Sequence, residues 1–428
     1  MGIIKKLKSA EIVQVSFYSG ISTVIKIITS FVSAKVIAIY LGPTGLGMLG
    51  QLTSFIAIFL TLSTGAITTG VIKFVSEYKN EQELQHRLIK SALHITLLCS
   101  LVCALVIAFG SVYWSKILFG NSSYAYVFVI LGITVVFYAI FSLAISVLNG
   151  MQQYKLFNII NVFASIVGLI FSLTMVMLYG IKGALISAVT YQSVVFIMML
   201  FFIRNADWFQ WDKIKSAVIN RSDYIKLSKF SLMALVSAAA VPLVQIIIRK
   251  YLALKVSPES VGFYEGVNRL SLIYLSLITT TFSVYYLPKL SASKNNDELK
   301  SLIFKGYTFI LPVTTLILLA TYFLRNIVIT VVFADSFMPM EAYFLPQLIG
   351  DFFKIASWLL AMQMIAKAQT KLFIVTEILF GLLLIVLTYV LVNNFQGIGS
   401  IYAYAINYFI YFVAMVVIFK KIVFNDRV

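Results

Sequence analysis

The sequence predicts an all-α integral membrane protein of about twelve transmembrane helices, arranged as two pseudo-symmetric six-helix bundles around a central cavity. Three observations lead there: an apolar composition, twelve apolar runs of spanning length, and an internal duplication.

Hydrophobic residues make up 61% of the 428 and charged residues only 11%. Soluble globular domains carry roughly 45–50% and about 25%. No soluble core hides that much apolar surface, and the 35 Phe and 24 Tyr suit lipid-facing faces and interfacial belts. The formal charge is +17. In a soluble chain that excess would raise nucleic acid as a partner. Here the question is where the cations sit relative to the bilayer, and no nucleic-acid partner is expected.

A spanning helix needs roughly 20 mainly apolar residues. Twelve runs qualify: 11–39, 46–75, 88–113, 124–149, 156–179, 183–203, 230–253, 261–287, 301–323, 342–366, 372–392 and 398–419. The short apolar stretch 324–340, with Asp335 and Pro339, reads as an external interfacial segment. Lys5, Lys6 and Lys8 precede a long apolar run without a clear cleavage site, so it reads as a retained first helix.

With the N-terminus cytoplasmic, 23 Lys and Arg fall in cytoplasmic segments and 6 in external ones. That bias predicts both termini inside. The longest polar connection, 204–229, carries Trp208, Phe209 and Trp211 amid alternating charge. It reads as an amphipathic linker on the inner leaflet between bundles 1–203 and 230–428.

The bundles repeat in sequence. Lys35, Ala38, Pro43 and Gly47 recur as Lys250, Ala253, Pro258 and Gly262. Ile117 to Gly120 is echoed by Val331 to Ala334, and Gln153-x-Lys155-Leu156-Phe157 by Gln369-x-Lys371-Leu372-Phe373. Gly180, Ile181, Ala188 and Tyr191 recur as Gly397, Ile398, Ala405 and Tyr408. All these offsets lie between 214 and 217, half the chain. Six helices per repeat put both copies the same way up, an organisation suited to alternating access.

Ionisable groups at membrane depth are costly, so they are the candidates for function. In the first run, Ser19, Ser22, Lys26, Thr29, Ser30 and Ser33 form one polar stripe with Lys26 near its middle. Lys35, Arg249, Lys250 and Lys255 lie nearer the outer ends, where they either bind an anion or snorkel to headgroups. Glu265 and Arg269 are four apart and can pair. Gln347, Asp351, Lys354 and Trp358 share a face; Glu377 lies in the eleventh run, with Asn161 at its repeat position. The Glu265–Arg269 and Asp351–Lys354 pairs read equally as packing devices that neutralise themselves.

Enzyme signatures are absent: there is neither a G-x-x-x-x-G-K-[ST] loop nor an H-E-x-x-H pair, and the external loops are short. Cys99 and Cys103 are four apart, outside the C-x-x-C spacing, and with His86 and His94 give no evident tetrahedral set. They read as small packing residues. No cofactor or metal is expected. Without a nucleotide site, energy comes from an ion gradient, the membrane potential or substrate concentration.

The duplicated six-helix plan resembles the multidrug/oligosaccharidyl-lipid/polysaccharide exporter superfamily. So does the run Ala38-Ile39-Tyr40-Leu41-Gly42-Pro43-x-Gly45-Leu46-Gly47. Ile117-Leu118-Phe119-Gly120 and Leu148-Asn149-Gly150-Met151-x-x-Tyr154-Lys155 look like its polysaccharide branch, and within it like Wzx-type O-antigen and enterobacterial-common-antigen flippases. The resemblance covers the whole chain. It implies an inner-membrane protein that passes an undecaprenyl-diphosphate-linked glycan from the cytoplasmic to the periplasmic leaflet through a cationic cavity. Its partners would be membrane lipids, a coupling H+ or Na+, and polysaccharide polymerase and chain-length proteins.

A diphosphate needs cations, which points to Lys26, Lys35, Arg249, Lys250, Arg269 and Lys354 for substrate and to Asp351, Glu265 and Glu377 for the coupling ion. Two other readings compete. A drug or metabolite cation antiporter would favour acids over these cations, and a non-transporting scaffold would leave its embedded charges paired.

Overall fold

The computed structural model describes residues 2–203, 211–293, 295–367 and 369–420. No strand occurs among them. The helices in order are α1 (Gly2–Ser63), α2 (Thr68–Glu77), α3 (Gln82–Phe109), α4 (Ser111–Phe119), α5 (Ala125–Gly150), α6 (Tyr154–Ile203) and α7 (Trp211–Ser216). They continue as α8 (Arg221–Lys255), α9 (Pro258–Ala292), α10 (Asn296–Phe323), α11 (Arg325–Val332), α12 (Glu341–Ala366), α13 (Thr370–Phe395) and α14 (Gly399–Ile418).

Eight stretches are long and apolar enough to cross a membrane. Three of them, Tyr18–Ser63, Tyr154–Leu200 and Thr370–Ile418, run 46, 47 and 49 residues, about twice a bilayer span. Each contains a break: Gly42, Gly180, and the 3-10 turn Gln396–Ile398. Counted on either side of these breaks, and with the more charged α9 added, the described residues hold twelve helices of spanning length, as the apolar runs predict.

The breaks follow from local chemistry. Gly42 (φ 62°, ψ −169°) takes a backbone conformation almost reserved for glycine, and Pro43 then starts the next helix with φ preset. One repeat later, Ser257 caps α9 by accepting from the Ser260 N–H at 3.2 Å, with Pro258 in the first turn. Gly180 (φ 54°, ψ −133°) and Gln396 (φ 55°, ψ −144°) also share one conformation, so the structural repeat falls one residue before the Gly180–Gly397 match of the sequence.

The elements repeat accordingly. The short α4 returns as the short α11, α5 as α12, and the first part of α6 as α13. Exposed Phe109 closes α3 just as exposed Phe323 closes α10. One departure stands out. The N-terminal copy is interrupted at Gly65 and Ala66, both at positive φ, between α1 and α2, whereas α9 runs unbroken. The segment 324–340 forms α11 and the 3-10 turn Asp335–Met340; Phe333, at the end of α11, and Phe337 and Met340 in the turn are buried.

By packing, the chain divides into Met1–Tyr40 with Leu52–Pro242, and Leu41–Gln51 with Leu243–Val428. In the first unit α3, α5 and α6 pack in series, and Ile67, Val71, Leu88, Ala92 and Val147 fill a core. In the second, α12 is the central helix, packed by α9, α10, α13 and α14 around Ile303, Ile355, Leu359 and Met415.

The expected amphipathic linker takes another form where it is described. Residues 204–210, with Trp208 and Phe209, lie outside the described residues, as does the C-terminal end with Lys421 and Arg427. Residues 211–216 form only a short helix, and from Arg221 the chain is already in α8. That start is fastened within its unit by polar contacts. Buried Asp223 pairs with Arg87 at 2.8 Å, Lys226 donates to the Tyr78 hydroxyl at 2.7 Å, and Lys90 donates to the Lys215 and Ala217 carbonyls at 2.7 and 2.8 Å. The hydrogen bond to Tyr78 holds the Lys226 ammonium above its ordinary range.

Candidate functional site

In the first unit the polar stripe of α1 faces the first part of α6. The Lys26 ammonium donates to Asn161 Oδ1 at 3.0 Å, and Asn158 donates to Ser19 Oγ at 3.4 Å. Lys26 stays exposed, and an amide leaves its full charge in place. Lys35 is half-buried further along α1.

In the second unit three of the expected charged residues meet. Glu265 on α9 is held between Arg269 Nε at 2.8 Å and Arg249 Nη2 at 2.7 Å. Arg249 Nη1 donates to the Gly50 carbonyl at 2.9 Å, and Gln51 donates to the Ile246 carbonyl at 3.2 Å. Two guanidinium groups on one carboxylate leave a net charge of about +1. Glu265 and Arg249 are buried, whereas the Arg269 side chain keeps 27% of its surface. The sequence shows the Glu265–Arg269 spacing but not the third member, because Arg249 arrives from another helix. Lys250, next in α8, is exposed.

Asp351 on α12 is fully buried and takes donors from three helices. Ser271 Oγ lies 2.7 and 2.8 Å from its two oxygens, the Tyr274 hydroxyl donates to Oδ2, and the Tyr404 hydroxyl donates to Oδ1 at 2.7 Å. Gln347, one turn earlier, donates to Oδ1 at 3.3 Å, while its own amide oxygen is buried without a partner.

Lys354 is not the ion-pair partner that the spacing allows; no contact within 4 Å joins it to Asp351. It reaches the Tyr404 hydroxyl at 3.3 Å and lies 5.0 Å from the Tyr408 ring centre, with Asp351 and, more weakly, Glu377 on α13 as electrostatic neighbours. Asn161 and Glu377 are repeat equivalents, and each has a lysine in its surroundings: Lys26 hydrogen-bonded to Asn161, and Lys354 within electrostatic range of Glu377. Tyr274, Tyr404 and Ser271 carry no signal in the sequence, since they converge only through packing of α9 and α14 on α12; Tyr408 shows there only as the repeat of Tyr191.

No cluster of three His, Cys, Asp or Glu suited to a metal ion forms among the described residues. Cys99 and Cys103 are free thiols.

A twice-repeated set of six membrane helices with ionised groups inside defines a multi-pass membrane protein of duplicated design. The chain belongs to the polysaccharide biosynthesis protein family, which matches residues 12–294. It is 28% identical over 412 residues to the lipid III flippases of Escherichia coli (strain K12) and Shigella flexneri, covering 94% of this chain and 96% of each relative.

Among solved structures, lipid II flippase MurJ in an inward closed conformation aligns with a TM-score of 0.75 at 14% identity, over 96% of this chain and 90% of that one. An inward-facing multidrug resistance transporter of the MATE family, in the MOP superfamily, aligns with a TM-score of 0.74 at 10% identity, over 95% and 100%. At such identities these two likenesses show the fold.

Proposed function

We propose that the protein is a flippase, not an enzyme. It would carry a polyprenyl-diphosphate-linked glycan from the cytoplasmic to the periplasmic leaflet of a bacterial inner membrane, with both termini cytoplasmic. The observation that carries this reading is the end-to-end similarity to lipid III flippases. The membrane cations agree with it: Lys26, Arg269 and Lys354 keep charge that no carboxylate fully uses. A diphosphate stripped of water needs such donors, each charge-assisted contact being worth about 1.5–3 kcal/mol. Lys35, Arg249 and Lys250 extend the set toward the outer face, with Arg249 committed chiefly to Glu265.

Transport runs through alternate exposure of the bound headgroup to the two sides, coupled to H+ or Na+ at Asp351. Its carboxylate is buried among hydroxyl and amide donors, with which a proton or small cation would compete. Glu377 is the next choice. Glu265 is the weakest of the three, since two arginines already satisfy it.

A cation antiporter is the alternative. Binding separates the two: purified protein should take up a labelled polyprenyl-diphosphate saccharide and be competed by unlabelled diphosphate lipid, not by a lipophilic cationic dye. Competition by the dye alone would favour the antiporter.

A further inference from the structure

Asp351 and Lys354 lie three residues apart on α12, yet the contact between them runs through another helix. The Tyr404 hydroxyl on α14 is 2.7 Å from Asp351 Oδ1 and 3.3 Å from Lys354 Nζ. A phenol has one proton to give and lone pairs to accept with; an ammonium only gives. The order of donation is therefore fixed: Lys354 gives to Tyr404, and Tyr404 gives to Asp351. The Tyr404 ring is buried and stacks edge-on against Tyr408 at 4.7 Å, so the hydroxyl has little room to leave this line.

We infer that Tyr404 is a positioning residue that couples the cation at Lys354 to the acid at Asp351. This rests on the proposed function. An anionic diphosphate that takes the Lys354 ammonium removes the donor behind Tyr404. Hydrogen bonds in a chain strengthen one another, so the phenol then gives less to Asp351. A carboxylate that loses part of its donor set gains more from an added proton or sodium ion. Linkage makes the effect reciprocal: ion occupancy at Asp351 raises affinity for the diphosphate by the same factor.

The groups facing Asp351 are Ser271 and Tyr274 from α9, Gln347 and Lys354 from its own helix, and Tyr404 from α14. Beyond Lys354 stand Tyr408 and Glu377. On α10, the Tyr307 hydroxyl donates to the Ala356 carbonyl at 2.7 Å, and Thr321 lines a small cavity with Gln347 and Tyr274.

The test is equilibrium binding of labelled undecaprenyl diphosphate to the purified full chain, measured across pH and sodium concentration. Wild type should bind at least about 5-fold tighter with the ion site occupied, the low end of typical coupling. Tyr404→Phe keeps the ring and should still bind, but with the ion dependence lost; Asp351→Asn should lose it too. If Asp351→Asn loses the dependence while Tyr404→Phe keeps it, the relay is wrong and the ion site stands. If wild type shows no dependence, or Asp351→Asn retains it, the ion-site reading fails and takes the relay with it.

A second measurement needs no variant at Tyr404. Difference infrared spectra on adding undecaprenyl diphosphate should show a carboxyl band change that is missing in Asp351→Asn. An unchanged band in wild type overturns the coupling.

Discussion

Arg249 holds Glu265 at 2.7 Å with one terminal nitrogen and gives the other to the Gly50 carbonyl at 2.9 Å. The pair thus joins the Leu41–Gln51 segment to α8 and α9 within the second unit. Losing the sole partner of a buried charge costs about 3–5 kcal/mol; here Arg269 stays on Glu265, so the loss of Arg249 should cost less than that, with the Gly50 carbonyl also losing its donor. Arg249→Met should therefore lower thermal stability in detergent. Adding Glu265→Gln should lower it further, since Arg269 then loses its carboxylate, and the two effects should not add, as expected for residues in one network. Equal melting temperatures for wild type and Arg249→Met would make the contact incidental.

The start of α8 depends on Arg87 and Asp223. Asp223 is fully buried, while the Arg87 side chain is 25% exposed, so Arg87→Ala belongs at the low end of the same range, about 3 kcal/mol. Hydrogen exchange should then rise in the first turns of α8 before the rest of the unit. Lys226 adds a check of sign. Its raised value means that its contribution is complete below the ordinary lysine range and lost as pH rises through the folded-state value. The Lys226–Tyr78 contact, as distinct from the His94–Tyr224 hydrogen bond at the same helix start, should accordingly be unchanged between pH 6 and pH 8, a range set by about two units below lysine's ordinary titration. Loosening of that contact within the range would contradict this account.

Gly180 and Gln396 adopt one backbone conformation, but only one of them is glycine. A side chain in that region costs of order 1–3 kcal/mol. Gln396→Gly should raise the melting temperature, and Gly180→Ala should lower it. A destabilised Gln396→Gly protein would show that the glutamine side chain contributes more than its strain costs.

Orientation is tested by reporters. A fusion after Val428, or one near Lys215, should report the cytoplasm, and one near Ser122 the external side. A cytoplasmic reading at Ser122 would break the twelve-helix order.

Much of the fold was legible in the sequence because lipid imposes it. Spanning length, the Gly42–Pro43 exit and the recurrence of Lys35-x-x-Ala38 as Lys250-x-x-Ala253 are all linear signals. The break at Gly65 and Ala66 falls inside the single predicted run 46–75, although Ser63, Thr64, Gly65, Thr68, Thr69 and Gly70 punctuate it there. At the candidate site, i to i+4 spacing revealed Glu265 with Arg269. The i to i+3 spacing of Asp351 and Lys354 suggested a direct pair that the fold replaces with Tyr404. Contacts between helices far apart in sequence, such as Ser271 and Tyr274 on Asp351, have no periodic trace.

The central claim is that the chain moves a lipid-linked glycan across a bilayer and that membrane cations hold its diphosphate. The direct measurement is the flux of a labelled polyprenyl-diphosphate saccharide between leaflets of proteoliposomes, read by headgroup accessibility at the outer face. Wild type should exceed protein-free vesicles. Lys26→Ala should lose one charge-assisted contact of about 1.5–3 kcal/mol, a roughly 10- to 150-fold drop at limiting substrate, with Lys26→Arg in between. Flux no faster than in protein-free vesicles, or undiminished in Lys26→Ala and Lys354→Ala alike, would contradict the account.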